Sequence, residues 1–158
     1  MDSILRSIPN SQTIIQTANL RDLNALRKLE AVCFPQDAWP LLDLIGALSL
    51  PNVLRLKAVD QGRMVGFIAA DLRPGQELAW IATVGVLPEY RRRGVATALL
   101  QACEERLKVS KVRLNVRVSN KGALALYHER GYGEVGVWPG YYQDAEDALV
   151  LEKVIGGG

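Results

Sequence analysis

The sequence of 158 residues has one histidine, His128, and two cysteines, Cys33 and Cys103. The cysteines lie far apart and form neither a CxxC pair nor a Cys/His pattern. That excludes the common zinc spacings and a disulfide framework, so no metal is expected. Free thiols suit a reducing compartment, and a cytoplasmic location is expected. Long apolar runs are also missing. A membrane helix needs roughly 20 apolar residues, whereas the stretch from Leu41 to Leu50 is broken by Asp43, Gly46 and Ser49. The start, MDSILRSIPNSQ, lacks the apolar centre of a secretory signal. Neither sign of charge dominates: 19 basic against 17 acidic residues leave +2. Overall charge therefore offers no basis for binding nucleic acid or an anionic membrane. Two phosphate-binding signatures are absent as well. There is no GxxxxGK[ST], and no GxGxxG followed about 20 positions later by an acidic residue, so nucleotide-hydrolysing and dinucleotide-binding loops are set aside.

What is present suits one globular domain. Hydrophobic residues make up 49% and charged residues 23%, enough apolar surface for a full core in a chain of single-domain size. Residues 1–11 are expected to be a flexible leader, 12–155 the domain, and 156–158 a flexible tail. Ile14 and Ile15 predict a short strand. Asn19 then caps a helix carrying Leu23, Leu26, Leu29 and Val32, and Pro35 stops it. A second helix is expected to start near Pro40. Leu54, Leu56 and Ala58 alternate with Arg55 and Lys57, the pattern of a half-buried strand. Asp60-Gln61-Gly62-Arg63 is a hairpin turn into a strand over 64–72, and Arg73-Pro74-Gly75 a second turn into a strand over 78–86. Helical spacing marks 95–107, alternation marks 112–116, and Ser119-Asn120 caps a helix over 121–130 that Gly131 ends. Strands are expected at 134–137 and 148–154. The order β-α-α-β-β-β-α-β-α-β-β is mixed α/β, an antiparallel meander followed by helix crossovers.

The most informative segment runs from Val84 to Thr97, VGVLPEYRRRGVAT. A strand ends, a turn follows, and Gly94 and Ala96 stand where a helix begins. Backbone N–H groups at such a turn form an anion cradle that the helix dipole strengthens. Arg91, Arg92 and Arg93 sit at the same end, where cations are disfavoured by roughly 0.3–1 kcal/mol each unless an anion is bound. The same arginines also read as a solvated surface turn.

The pattern Arg91-x-x-Gly94-x-Ala96 after a strand resembles the coenzyme-A pyrophosphate loop, [QR]-x-x-G-x-[GA], of the GNAT acetyltransferase superfamily. Leu114-Asn115-Val116-Arg117-Val118-Ser119-Asn120, followed by Ala123, Ala125, Leu126-Tyr127 and Gly131-Tyr132, resembles that family's second cofactor segment. Tyr141-Tyr142 with Glu146-Asp147-Ala148 is similar to the C-terminal hairpin of protein N-terminal acetyltransferases. Cys33-Phe34-Pro35 with Trp39 is similar to the first helix-loop of ribosomal-protein alanine acetyltransferases. The resemblance spans about residues 12–155. It implies a mostly antiparallel central sheet with a V-shaped cofactor cleft where two parallel strands splay. It also implies acetyl-CoA as cosubstrate, held by the backbone of Val84, Gly85 and Val86, by the loop Arg91, Arg92, Arg93, Gly94, Val95, Ala96 and Thr97, and by Asn120, which equally reads as a helix N-cap.

The same resemblance makes Tyr127 the acid that protonates or positions the leaving thiol, since a phenol of pKa about 10 arrives protonated. Tyr141, Tyr142, Trp80 and Phe34 are implied at the acceptor site, and the acidic run Asp144, Glu146 and Asp147 reads either as a lure for a cationic amine or as an exposed tip. Trp138 and Trp39 read as packing. The base departs from the pattern. The alanine branch has a glutamate at the place of Asn115, and a eukaryotic branch has a histidine there with a tyrosine at the place of Trp80. Asn115 and Trp80 are not bases, which leaves water ordered by Asn115 or Thr83, or Glu77, Asp71 and Tyr142 as remote alternatives. An α-amine, about one fifth neutral near pH 7.5, tolerates a missing base far better than a lysine, neutral about one time in a thousand. The leading reading is acetyl transfer to a peptide or protein N-terminus by a monomer or homodimer. The alternatives are a small-amine acetyltransferase (polyamine, aminosugar or amino acid) and a coenzyme-binding sensor without catalysis.

Overall fold

The computed structural model describes residues 4–9, 11–73 and 75–156. Its strands are β1 (Ile4–Ser7), β2 (Thr13–Thr17), β3 (Val53–Asp60), β4 (Arg63–Arg73), β5 (Leu78–Val86), β6 (Lys111–Arg117), β7 (Gly133–Trp138) and β8 (Ala148–Val154). Its helices are α1 (Leu23–Cys33), α2 (Leu41–Ser49), α3 (Val95–Arg106) and α4 (Lys121–Glu129). The strands form an open, mostly antiparallel sheet in the order β1-β2-β3-β4-β5-β6-β8-β7. The expected element order holds, with β1 added in front. Instead of a leader, Ile4–Ser7 pair antiparallel with β2, Ile4 opposite Gln16 and Ser7 opposite Ile14. Four residues of mixed polarity give no period to read, and pairing with a neighbour is what makes them a strand.

The chain divides into two compact units, Met1–Leu72 with Ala82–Leu107, and Arg73–Ile81 with Lys108–Gly158. The first unit holds the meander from β1 to β4, the second half of β5, and α1, α2 and α3. Asp60 and Arg63 close the β3–β4 hairpin around Gln61 and Gly62, both at positive φ, as the Gln-Gly turn requires. Ile15, Leu26, Leu56, Phe67, Ile68 and Leu99 are fully buried here. Gly66 lets α3 come close: a Cβ there would stand 3.1 Å from Leu99 Cδ1 and 3.2 Å from Val95 Cγ1. The polar side of β3, expected to face water, is covered. Arg55 Nε donates to the carbonyl of Ala47 in the last turn of α2 at 2.7 Å, and Lys57 pairs with Asp22 at 2.9 Å. Alternation marked the two faces of β3 correctly; the cover on the second came from helices its own period cannot reveal.

The second unit is built on β6. Its N-terminal end runs parallel to β5, Leu78–Trp80 against Lys111–Arg113. Its whole length pairs antiparallel with β8, from Lys111 opposite Val154 to Arg117 opposite Ala148. β7 adds to the far side of β8 with a register shift between Glu134 and Gly136. α4 ends at Gly131, whose φ of +94° suits glycine. Tyr127 on α4 and Tyr132 beyond it are buried edge to face, with ring centroids 5.9 Å apart. Of the expected tail, Gly156 is tied down, its N–H donating to Ser110 at 3.2 Å. Residues 157–158, like Pro74 of the second turn, lie outside the described residues.

Candidate active site

In the first unit the expected coenzyme segment forms one continuous turn. The carbonyl of Val86, at the end of β5, accepts from Arg91 Nε at 3.0 Å and from Cys33 Sγ at 3.4 Å. Gly85 faces the end of α1, where a Cβ would stand 3.2 Å from both Cys33 Sγ and Phe34 Cε2. After a short turn at Pro88–Tyr90, the chain takes left-handed backbone at Arg92 (φ 62°) and Gly94 (φ 82°). α3 then begins at Val95 with Gly94 as its N-cap and no side chain capping it. The first turn of a helix has N–H groups without intrahelical partners. Here they stand at an exposed loop, beside the exposed Arg92 and Arg93. Arg93 lies over the Tyr90 ring at 5.2 Å. Uncapped donors, a strained left-handed arginine and local positive charge fit a pyrophosphate. Arg91 is the exception: its side chain turns back to hold β5.

The same unit carries a feature that sequence reasoning passed over. Glu30 on α1 is 1% exposed. Its Oε2 accepts from Thr83 Oγ1 at 2.9 Å and its Oε1 from the Trp39 N–H at 3.4 Å. Burial raises its pKa, and the bonds from Thr83 and Trp39 pull it back. Trp39 also lines a groove of about 320 Å³ with Ala82, Asp43 and Asp71. The clue was available, because Glu30 stands on the stripe Leu26, Leu29, Cys33 at helical spacing, where a charge is out of place.

In the second unit four aromatic rings form a chain. Trp80 stacks on Trp138 with centroids 5.6 Å apart, Trp138 meets Tyr141 at 5.0 Å, and Tyr141 meets Tyr142 at 5.0 Å edge to face. Asn115 Nδ2 donates to Tyr142 Oη at 3.3 Å. The buried Tyr127 phenol is pushed up, first by desolvation and then by the neighbouring Tyr142, so it stays protonated at every working pH. Three of the expected acceptor residues, Trp80, Tyr141 and Tyr142, thus come together, joined by Trp138, which had been read as packing. Phe34 belongs to the first unit, beside Gly85.

The remaining candidate residues sit as follows. The acidic run, open between a lure for an amine and an exposed tip, is engaged in bonds within its own unit. Arg117 Nη1 binds Asp144 at 2.9 Å and Glu146 at 2.7 Å, Glu146 also accepts from the Ser119 N–H at 2.8 Å, and Asp147 accepts from the Gly140 N–H at 2.8 Å. Glu77 lies in the exposed turn before β5, accepting from Ser110 Oγ at 3.2 Å. Asn120 caps α4, its Oδ1 accepting from the Ala123 N–H at 3.2 Å. Among the described residues no cluster of potential metal ligands occurs, and no helix is long and apolar enough to cross a membrane.

A family model, the Acetyltransferase (GNAT) family, matches residues 23–132. The chain belongs to the GNAT acetyltransferase family. It is an acetyltransferase, and its cosubstrate, as in that family, is acetyl-CoA. Among GNAT relatives it is 31% identical to the N-alpha-acetyltransferase of Sulfurisphaera tokodaii over 151 residues, 87% of this chain and 90% of the relative. It is 32% identical to the N-terminal acetyltransferase A complex catalytic subunit NAA10 of Arabidopsis thaliana over 150 residues, 90% of this chain and 78% of that one. The crystal structure of the ribosomal-protein-S18-alanine N-acetyltransferase from Escherichia coli superimposes with a TM-score of 0.84 at 26% identity, covering 92% of this chain and 96% of that one.

The loop geometry makes a direct prediction. Gly94→Val forces a β-branched residue into left-handed backbone, which costs about 1–2 kcal/mol and displaces the turn. Titration calorimetry is expected to show acetyl-CoA binding at least about tenfold weaker, an energy of about 1.4 kcal/mol. Gly62→Val carries similar strain in the β3–β4 hairpin, where φ is +79°, and is expected to leave affinity unchanged. Equal affinities in all three proteins would remove this loop from the coenzyme site.

Proposed function

We propose that the protein transfers the acetyl group of acetyl-CoA to the N-terminal α-amine of a peptide or protein. The observation that carries this reading is the kinship with N-alpha-acetyltransferases over 87% and 90% of the chain. The site chemistry supports it. Neither Asn115 nor Trp80 can take a proton from the acceptor, and an α-amine is the acceptor that asks least of whatever other group does so. Because its pKa is about 8, a substantial fraction is already neutral near pH 7.5. A lysine, almost wholly protonated at that pH, would ask far more of that group.

In this reading the backbone of Val84–Val86 holds the pantetheine arm, and the amides from Arg92 to Thr97 take the pyrophosphate. Arg91 supports the strand. The aromatic chain Trp80–Trp138–Tyr141–Tyr142 supplies flat apolar surface and phenolic hydroxyls for the first residues of the acceptor. Asn115 orients the Tyr142 hydroxyl through its amide. Tyr127, kept protonated by burial, donates to the departing sulfur.

Two peptide sets test the acceptor, one with a free N-terminus and no lysine, the other with a blocked N-terminus and one lysine. Thiol release from acetyl-CoA, followed from about pH 6 to 9, is expected with the first set only and to rise with the titration of the α-amine near 8. Release with the lysine set alone would refute the acceptor, and release only with polyamines or aminosugars would move it to the small-molecule class. Tyr127→Phe is expected to lower kcat by about 10²-fold or more while acetyl-CoA affinity stays within about twofold of wild type. Full turnover in that variant would end the assignment of Tyr127.

A further inference from the structure

We propose that Thr83 and Glu30 form the proton relay for the acceptor amine, Thr83 as the catalytic hydroxyl that touches it and Glu30 as the positioning carboxylate behind it. The inference rests on the reading above that acetyl transfer takes place against the Val84–Val86 segment of β5.

Glu30 is an expensive residue to bury. A desolvated carboxylate is normally compensated by a cation, and the same unit shows how: Asp22 pairs with Lys57 at 2.9 Å. Among the described residues no lysine or arginine pairs with Glu30. Its partners are a hydroxyl at 2.9 Å and a long amide bond at 3.4 Å. Structural need does not explain a carboxylate at a position where its helix stripe calls for leucine.

Its placement does. The hydroxyl it holds belongs to the half-buried Thr83, the residue immediately before the proposed thioester-binding segment. With its single proton directed to Glu30 Oε2, Thr83 Oγ1 has its lone pairs left to accept an N–H, and the carboxylate behind it strengthens that capacity. Trp39, whose N–H holds the other oxygen of Glu30, and Ala82, next to Thr83, line the same groove of about 320 Å³. Glu30 itself is closed off from solvent, and the half-buried Thr83 is the member of the pair that an acceptor can reach. Asp43 and Asp71 are the two acidic residues in the groove's otherwise mostly apolar lining. The other titratable neighbours of Glu30 are the Cys33 thiol, whose pKa its charge helps to raise, and beyond it the Arg91 guanidinium at the Val86 carbonyl.

The proton count closes. One N–H bond of the acceptor ammonium breaks and its proton passes to Thr83 Oγ1, while the hydroxyl proton of Thr83 moves to Glu30 Oε2. The freed nitrogen lone pair forms the C–N bond to the acetyl carbon, and the C–S bond breaks with its electron pair left on sulfur. A second proton leaves the nitrogen as the amide forms and one proton is taken up by the sulfur, giving free thiol. Glu30 then releases its proton to solvent through Thr83. A carboxylate whose affinity for protons is raised by burial suits this task better than an ordinary one.

The test compares wild type with Glu30→Gln, Thr83→Val and Thr83→Ser, using an N-terminal peptide. Glu30→Gln and Thr83→Val are expected to lower kcat near pH 7 by about tenfold, the most that removing the ammonium proton can give an amine of pKa about 8, with acetyl-CoA affinity within about twofold. The deficit is expected to shrink toward about pH 9.5, where the α-amine has lost its own proton. Thr83→Ser, which keeps the hydroxyl, is expected to retain the rate. Thermal unfolding of the coenzyme-free proteins is the second readout. A glutamate with a raised folded pKa favours folding when protonated, so that contribution is present at low pH and is lost as pH rises through the folded pKa. Glu30→Gln is therefore expected to melt with wild type near pH 4 and above it near pH 8. Parallel pH–rate profiles for wild type and both damaging variants, or a Glu30→Gln protein that melts lower near pH 8, would overturn the relay. No transfer to any peptide by wild type itself would instead strike the acceptor assignment, and the melting comparison would then decide Glu30 by itself.

Discussion

The carbonyl of Val86 is the point on which the first unit's chemistry turns. It accepts from the Arg91 guanidinium on one side and from the Cys33 thiol on the other. Those two bonds tie the end of β5 to the loop that follows and to the end of α1. Held there, the chain passes through left-handed backbone at Arg92 and Gly94, and α3 starts with its first N–H groups uncapped. Three adjacent arginines at a helix N-terminus are electrostatically awkward in isolation. One of them is structural, turning back to the Val86 carbonyl, and the other two stand exposed beside the uncapped start of α3.

Arg117 plays the corresponding part in the second unit. It binds Asp144 and Glu146 and lies over the Tyr142 ring at 4.1 Å. The bonds from Ser119 and Arg117 hold Glu146 below the usual carboxylate range. The acidic run is thereby spent on shaping the β7–β8 connection, and what that connection presents is aromatic: Tyr141, 53% exposed, next to Trp138, 37% exposed.

Much of this was legible in the residues. The turn at Asp60–Arg63, the stop at Pro35, the cap at Asn120 and the Gly131 terminus are local signals, and each element they bound appears where the pattern put it. The turn from β5 into α3 was legible because a strand, a glycine and a helix start lie within a few residues of one another. What escaped depends on contacts distant in sequence. β1 exists through its pairing with β2. Arg55 and Lys57 are covered by partners in α2 and before α1. Trp138 gains its place from Trp80, far away along the chain. Glu30 lay between these cases: helical spacing put it on the apolar stripe, yet its partner Thr83 is 53 positions away.

The central claim is selection of the α-amine, and one molecule can test it. A peptide carrying both a free N-terminus and an internal lysine would be incubated with the enzyme and acetyl-CoA at about pH 7.5, and the acetyl group located by fragmentation mass spectrometry. The account predicts acetylation at the terminal nitrogen with the lysine unmodified. Acetyl groups on the lysine at a comparable or faster rate would contradict it.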